Sequence, residues 1–175
     1  TLANGTLDFS FQAGTSGGVA TVNVSGGLAA GGNTQISLGS LSILSISAAS
    51  EKVSQGQTGV LVNMTVQNLA ASPITQLAGA LTFTGSIDRT SEFTVTPKAN
   101  NPTAIAGGGT ETLGFFIDVS PSAALENITI DGSASGKINT TDVATSGAAT
   151  PDAWAVQRPA QVDIHSVITS ADTVV

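Results

Sequence analysis

Val60-Leu61-Val62-Asn63-Met64-Thr65-Val66-Gln67 carries the pattern on which the fold turns. Val60, Val62, Met64 and Val66 share one parity; Asn63, Thr65 and Gln67 share the other, with Leu61 as the exception. Successive side chains of a strand point to opposite faces, so this reads as a strand with one face in a core and one in water. Turn-forming sequence brackets it, Ser54-Gln55-Gly56-Gln57 before and Asn68 to Pro73 after.

The two-residue period recurs in both directions. Downstream, Leu77 to Thr84 places Leu77, Gly79, Leu81 and Phe83 on one side, less cleanly. Phe93 and Val95 share a face of a strand closed by Pro97, and Leu113, Phe115 and Ile117 oppose Phe116 and Asp118 in 112–119. Ile128 and Ile130 point inward, with Asn127 and Thr129 outward. Ala153 to Val156 holds the sole tryptophan, and Gln161 to Thr169 reads as a last strand. Lys98 to Gly109 and most of Asp131 to Gly147 read as loop, with one strand near Lys137 to Asn139, and Glu51 to Gln57 reads as a turn. Upstream, Leu41 to Ser47 fits a helix on period alone, but its glycine, serine and isoleucine content favours a strand. Thr34 to Leu38 is a short strand and Gly26 to Asn33 a loop, while Val19 to Ser25 alternates and is expected to form a loose hairpin with the first strand.

Roughly nine to eleven short strands at this spacing, with no capped helical period, predict an all-β fold: an antiparallel sandwich, Ig-like or jelly-roll-like. No linker and no strong repeat divides the chain, so 1–175 reads as one domain. It has an N-terminal strand and hairpin extension in 1–39 and an Ig-like body in 40–175.

Composition narrows the function classes. Hydrophobic residues make up 41% but aromatics only 4%, and charged residues 10% against an ordinary ~25%. The surface is therefore Ser- and Thr-coated over an aliphatic core. Net charge is −7, and Lys52, Arg89, Lys98, Lys137 and Arg158 are scattered singly. Without a basic patch, nucleic acid and anionic membrane surfaces are not expected partners. The absence of cysteine excludes disulfides, thiolate metal sites and cysteine nucleophiles. No apolar run approaches the ~20 residues of a membrane span, so no membrane insertion is expected. The sequence opens at Thr1 without a charged-then-apolar leader, which reads as a secreted protein whose signal peptide has been removed, or as a fragment. With so little charge, the expected location is extracellular, at the cell surface.

The first dozen residues pose a separate question. Leu7, Phe9 and Phe11 alternate with Thr6, Asp8, Ser10 and Gln12, and Leu2 lies ahead of them. Chain ends fray unless a sheet holds them, so this strand needs a groove. Its own sandwich is one host, since consecutive strands usually pair. A neighbouring copy is the other: strand addition joins chains through backbone hydrogen bonds, and head-to-tail donation that does not close gives a filament. Gly14 to Gly18 serves either as a hinge or as a hairpin turn.

Two resemblances bear on this. Val53-Ser54-Gln55-Gly56-Gln57, the Val60-to-Val66 strand, then Gln67-Asn68 and a turn to Ile74 resemble immunoglobulin-like surface modules of prokaryotes. That resemblance implies the sandwich and no particular activity; the Ig cysteines are missing, and Trp154 comes too late for the usual tryptophan. Gly5-Thr6-Leu7-Asp8-Phe9 followed by Ala20-Thr21-Val22-Asn23-Val24-Ser25 is similar to the start of camelysin, of biofilm-fibre proteins and of archaeal bundling pili. This second resemblance implies a donor strand, carried by Leu2, Leu7, Phe9 and Phe11, that completes the sandwich of the next subunit.

Other constellations are thin. Asn4, Asn23, Asn63, Asn127 and Asn139 each head an Asn-x-Ser/Thr sequon and are candidate N-glycosylation sites, or simply line wet faces; Pro102 disqualifies Asn101. Asp163 and His165 lie on one face of the last strand, but a metal needs more ligands. Asp131, Asp142 and Asp152 match no calcium loop. Trp154 without neighbouring aromatics reads as core rather than as a sugar platform. No catalytic residues, metal or cofactor are expected, and the chain does not read as an enzyme. The expected function is a structural subunit of an extracellular filament, pilus or surface fibre, polymerising with copies of itself by N-terminal strand donation. The alternative is an Ig-like adhesion, carbohydrate-binding or spacer module of a larger secreted protein.

Overall fold

The computed structural model describes residues 18–26, 29–38, 40–163 and 165. Thirteen strands run in chain order: β1 (Gly18–Gly26), β2 (Ala29–Leu38), β3 (Leu41–Ala48), β4 (Lys52–Ser54), β5 (Val60–Asn68), β6 (Ile74–Thr84), β7 (Phe93–Pro97), β8 (Ala104–Ile105), β9 (Thr110–Val119), β10 (Asn127–Ile138), β11 (Thr141–Ser146), β12 (Ala148–Thr150) and β13 (Asp152–Gln157). The helical content among the described residues is one 3-10 turn, Thr90–Glu92.

The body is an Ig-like β-sandwich. One sheet runs β12-β3-β5-β9-β7; the other runs β4-β13-β10-β6-β8, with β11 also on β10. The body is antiparallel except for two short pairings, β12 on β3 and β13 on β4, which are parallel. β5 sits at the centre of its sheet, and its inner residues Val60, Val62, Met64 and Val66 are buried as their parity predicts. They face Leu81, Phe83, Ile128 and Ile130 of the other sheet across a continuous core. Each such side chain contributes about 1.5–3 kcal/mol of transfer free energy, and their sum holds a sandwich that has no disulfide.

Three sequence expectations change. Asp131 to Ile138 is strand rather than loop: β10 continues through Gly132, Ala134 and Gly136, all buried, with Ser133 and Ser135 turned outward or half-buried. The two-residue period persists there, carried by side chains too small to register as hydrophobic. They are small because the sheets approach closely; a Cβ on Gly132 would lie 2.5 Å from the Met64 Cε and 2.5 Å from the Ala80 oxygen. Ala29 to Asn33, expected as loop, belongs to β2, which pairs with β1 from Gly18↔Leu38 to Gly26↔Ala29. Val19 to Ser25 thus pairs with the following segment; the first strand, expected as its hairpin partner, lies outside the described residues. Finally, Gln161 to Asp163 are not in a strand and Val162 is 90% exposed. Proline has no N–H to extend a ladder, and Pro159 stands just past the last β13 pairing at Gln157.

The short pieces β4, β8 and β12 bring the strand number above the expected range. β4 lies inside the stretch read as a turn and β8 inside the one read as a long loop. Segments of two or three residues are too short to show a period.

Candidate functional site

The sandwich has two flanks of different construction. On one, β13 and β11 pair with the same edge of β10, β13 at Asn127–Ile130 and β11 at Ser133–Ile138. Between them the chain crosses to the other sheet, lies along β3 as β12, and returns at Pro151. Two aspartates pin the crossing. Asp131 Oδ1 accepts from the Ala148 N–H at 2.7 Å and from its neighbour Gly132 at 2.8 Å. Asp152 Oδ2 accepts from the Ala48 N–H of β3 at 2.7 Å, and its Oδ1 from Ala153 at 2.7 Å. Their sequence reading as scattered loop acids gives way to a structural role.

On the other flank β6 faces β7. The chain crosses between them twice, through residues 85–92 above and 98–103 below. An ion cluster braces the upper crossing. Arg89 Nε donates to Glu126 at 2.6 Å and its Nη1 to Glu92 at 3.1 Å, while Glu126 also accepts from the Ser86 N–H at 3.0 Å. The Ser86 bond, then the Arg89 guanidinium, holds the Glu126 carboxyl below the usual carboxylate range; Glu126 in turn raises the Arg89 pKa. Asn68, fully buried, holds the loops at the lower end. Its Nδ2 donates to the oxygens of Ser72 at 2.8 Å and Ala106 at 3.1 Å, and its Oδ1 accepts from Ala70 N–H at 2.9 Å.

Between these braces the edge of β6 is open. Thr84, Thr82, Ala80 and Ala78 pair toward β10, so the odd residues turn their backbone groups outward. Leu77 N–H donates to Thr103 and Arg89 N–H to the Phe83 oxygen, each at 2.8–2.9 Å. Gly79 and Leu81, between them, have no outward backbone partner among the described residues. The inner side chains there belong to the core. A Cβ on Gly79 would lie 2.8 Å from Leu113 Cδ1, so the core packs directly against this glycine. Nearby Val95 of β7 is only half-buried, whereas Ile117, its cross-strand partner, is fully buried. The apolar layer thus reaches the surface on this flank.

Gln76 explains why β6 alternates poorly in sequence. It has φ 53° and sits in a bulge where the register with β10 slips, so the buried positions run Ile74, Leu77, Leu81, Phe83. The uncharged run Leu77 to Thr84 was the only sequence signal of an unprotected edge.

The sequence-predicted sites are dispersed. Leu2, Leu7, Phe9, Phe11 and Asn4 lie outside the described residues. Asn23 pairs with Asn33 in β1–β2. Asn63 is half-buried mid-strand between Ser47 and Gly114; Asn127, first in β10, is exposed, and Asn139, at φ 54°, occupies the exposed β10–β11 turn. Asp163 and His165 are almost fully exposed and 3.8 Å apart. No group of three His, Asp or Glu able to hold a metal occurs among the described residues. Asp142 pairs with Lys137 at 2.5 Å on the surface. Trp154 is core: it stacks on Phe83 and packs tilted against Phe93, with centroids 5.7 Å from each, and its Nε1 has no acceptor among the described residues. An open depression of about 410 Å³ beside β7 includes Ser91, Glu92, Thr94, Asp118 and Ser120. Its carboxylates are already engaged, Asp118 with the Gly59 N–H and Glu92 with the Ala124 N–H and Arg89. No helix among the described residues is long and apolar enough to cross a membrane.

No family model matches the chain, and no curated protein matches it in sequence. Among solved structures, the GAE domain of GGA2p from Saccharomyces cerevisiae is similar at 14% identity and a TM-score of 0.39, over 80% of this chain and 100% of that one. A GH20 exo-β-N-acetylglucosaminidase from Vibrio harveyi is similar at 14% identity and a TM-score of 0.34, over 75% of this chain. The chain spans only 20% of that enzyme's length. Likenesses this distant carry no argument about activity; the fold rests on its own strand pairings.

Proposed function

We propose that this Ig-like module is a structural subunit of an extracellular filament or surface fibre, joined to copies of itself by donation of its N-terminal strand. One observation carries the reading: a sandwich with an uncharged stretch of sheet edge that has no partner among the described residues, in a chain whose first residues alternate Leu7, Phe9, Phe11 against polar neighbours. An edge of that kind is a template for another strand. The sparse surface charge suits lateral packing of subunits at the cell surface, and the chain works without catalytic residues, metal or cofactor. Where the host adds N-glycans, exposed Asn127 and Asn139 take them ahead of half-buried Asn63.

Electron microscopy and size-exclusion chromatography of the purified chain test this. The full chain forms fibres, and the chain without Thr1 to Gln12 does not. A full chain that stays monomeric at every concentration points instead to a spacer or adhesion module. Fibres from the truncated chain also overturn the reading.

A further inference from the structure

Proteins protect sheet edges with charge, proline, bulges or brevity, and most edges of this body are protected. β4, β8 and β12 have two or three residues each. β11 carries exposed Asp142 in its pair with Lys137. β7 ends in Pro97, which has no N–H, and the Phe93 N–H already donates to Thr90. On β7 that leaves Val95 as the strand's one clear donor. β6 differs: from Leu77 to Thr84 it has no charge and no proline, and its bulge at Gln76 lies before this stretch. Gly79 and Leu81 offer two N–H and two C=O groups in line.

We infer that the outer edge of β6 around Gly79 and Leu81 is the acceptor, and that its occupant comes from Thr6 to Gln12 of another copy; this rests on the strand-donation reading above. Parity sets the register: offset by one residue from end-to-end alignment, Leu7, Phe9 and Phe11 lie opposite the odd residues of Leu77 to Phe83. Residues opposite one another share a face, so Leu7, Phe9 and Phe11 take the inner side beside Leu77, Gly79, Leu81 and half-buried Val95. Asp8 and Ser10 then lie outward beside exposed Ala78 and Ala80. The incoming strand extends the β4-β13-β10-β6 sheet by one.

The absence of native cysteine makes disulfide mapping clean. Paired strand residues have Cα atoms ~4.5–5.5 Å apart, within disulfide range. Single variants Asp8→Cys and Ser10→Cys are each refolded with Ala78→Cys, Ala80→Cys or Thr82→Cys, and with Thr94→Cys or Thr96→Cys on β7, then oxidised. The expected result is a covalent dimer of doubled mass with the β6 partners and none with the β7 partners, lost on reduction. Dimers with β7 only, or fibres without any of these cross-links, overturn the β6 assignment and leave the filament reading standing. A double variant Ser10→Cys/Ala80→Cys that closes internally and runs as a monomer overturns the filament reading and keeps β6 as the acceptor. A monomer with no cross-link overturns both.

Discussion

The two flanks of the sandwich solve the same edge problem differently. Where β11, β12 and β13 meet, the chain crosses between sheets inside the fold, and Asp131 and Asp152 tie the crossing to backbone N–H groups. That flank is self-sufficient. Where β6 faces β7, crossings occur only above and below, and Gly79 and Leu81 lie between them with no outward partner among the described residues. One flank completes itself through short chain excursions; the other leaves a stretch of β6 edge without a partner among the described residues. The lesson is that an open edge, not a cavity, is the distinctive surface feature of this module.

The comparison breaks most severely at the residue common to both flanks. Trp154 comes from β13, stacks on Phe83 of β6 and packs tilted against Phe93 of β7. Trp154→Ala should cost about 3–5 kcal/mol of unfolding free energy by denaturant titration. Trp154→Phe keeps a ring and removes an unsatisfied buried N–H, so its cost should stay below about 1.5 kcal/mol. Next is the lower frame of the open flank: Asn68→Ala leaves the Ala70 N–H and two carbonyls without their partner, at about 2–3 kcal/mol. On the closed flank Asp152→Ala frees the Ala48 N–H, at about 1–2 kcal/mol, and leaves fibre formation intact in micrographs. A fibre defect in Asp152→Ala with an unchanged melting temperature would erase the distinction between the flanks.

The smallest effect concerns the upper frame. Glu126 has a lowered pKa when folded, so the native state holds its proton less tightly than the unfolded chain does. Its contribution to stability is present above the ordinary glutamate value of ~4.3 and is lost as pH falls through the lower folded value. Glu126→Gln should flatten the pH dependence of thermal stability in that window, with a small destabilisation at neutral pH that vanishes as pH falls through it.

Much of this organisation was legible in residue parity. Long aliphatic and aromatic side chains revealed β3, β5, β9 and the start of β10, because each buried position there displays a recognisable hydrophobe. The second half of β10 and the first half of β2 were not legible, because glycine, alanine and serine signal loops in sequence even where a strand runs, as at closely packed Gly132. The roles of Asp131 and Asp152 were hidden for another reason: their partners, Ala148 and Ala48, are backbone groups that leave no mark in sequence. Leu77 to Thr84 showed its missing charge but not its missing neighbour, which only the sheet order of the body reveals.

Amide hydrogen exchange at Gly79 and Leu81 tests the central claim most directly. An N–H on an open edge exchanges rapidly, and one in a ladder is protected. In the assembled full chain both amides should be protected to the level of Ala80, which pairs with β10. Deleting Thr1 to Gln12 should release Gly79 and Leu81 while leaving Ala80 slow. Rapid exchange at Gly79 and Leu81 in the assembled full chain would contradict the account.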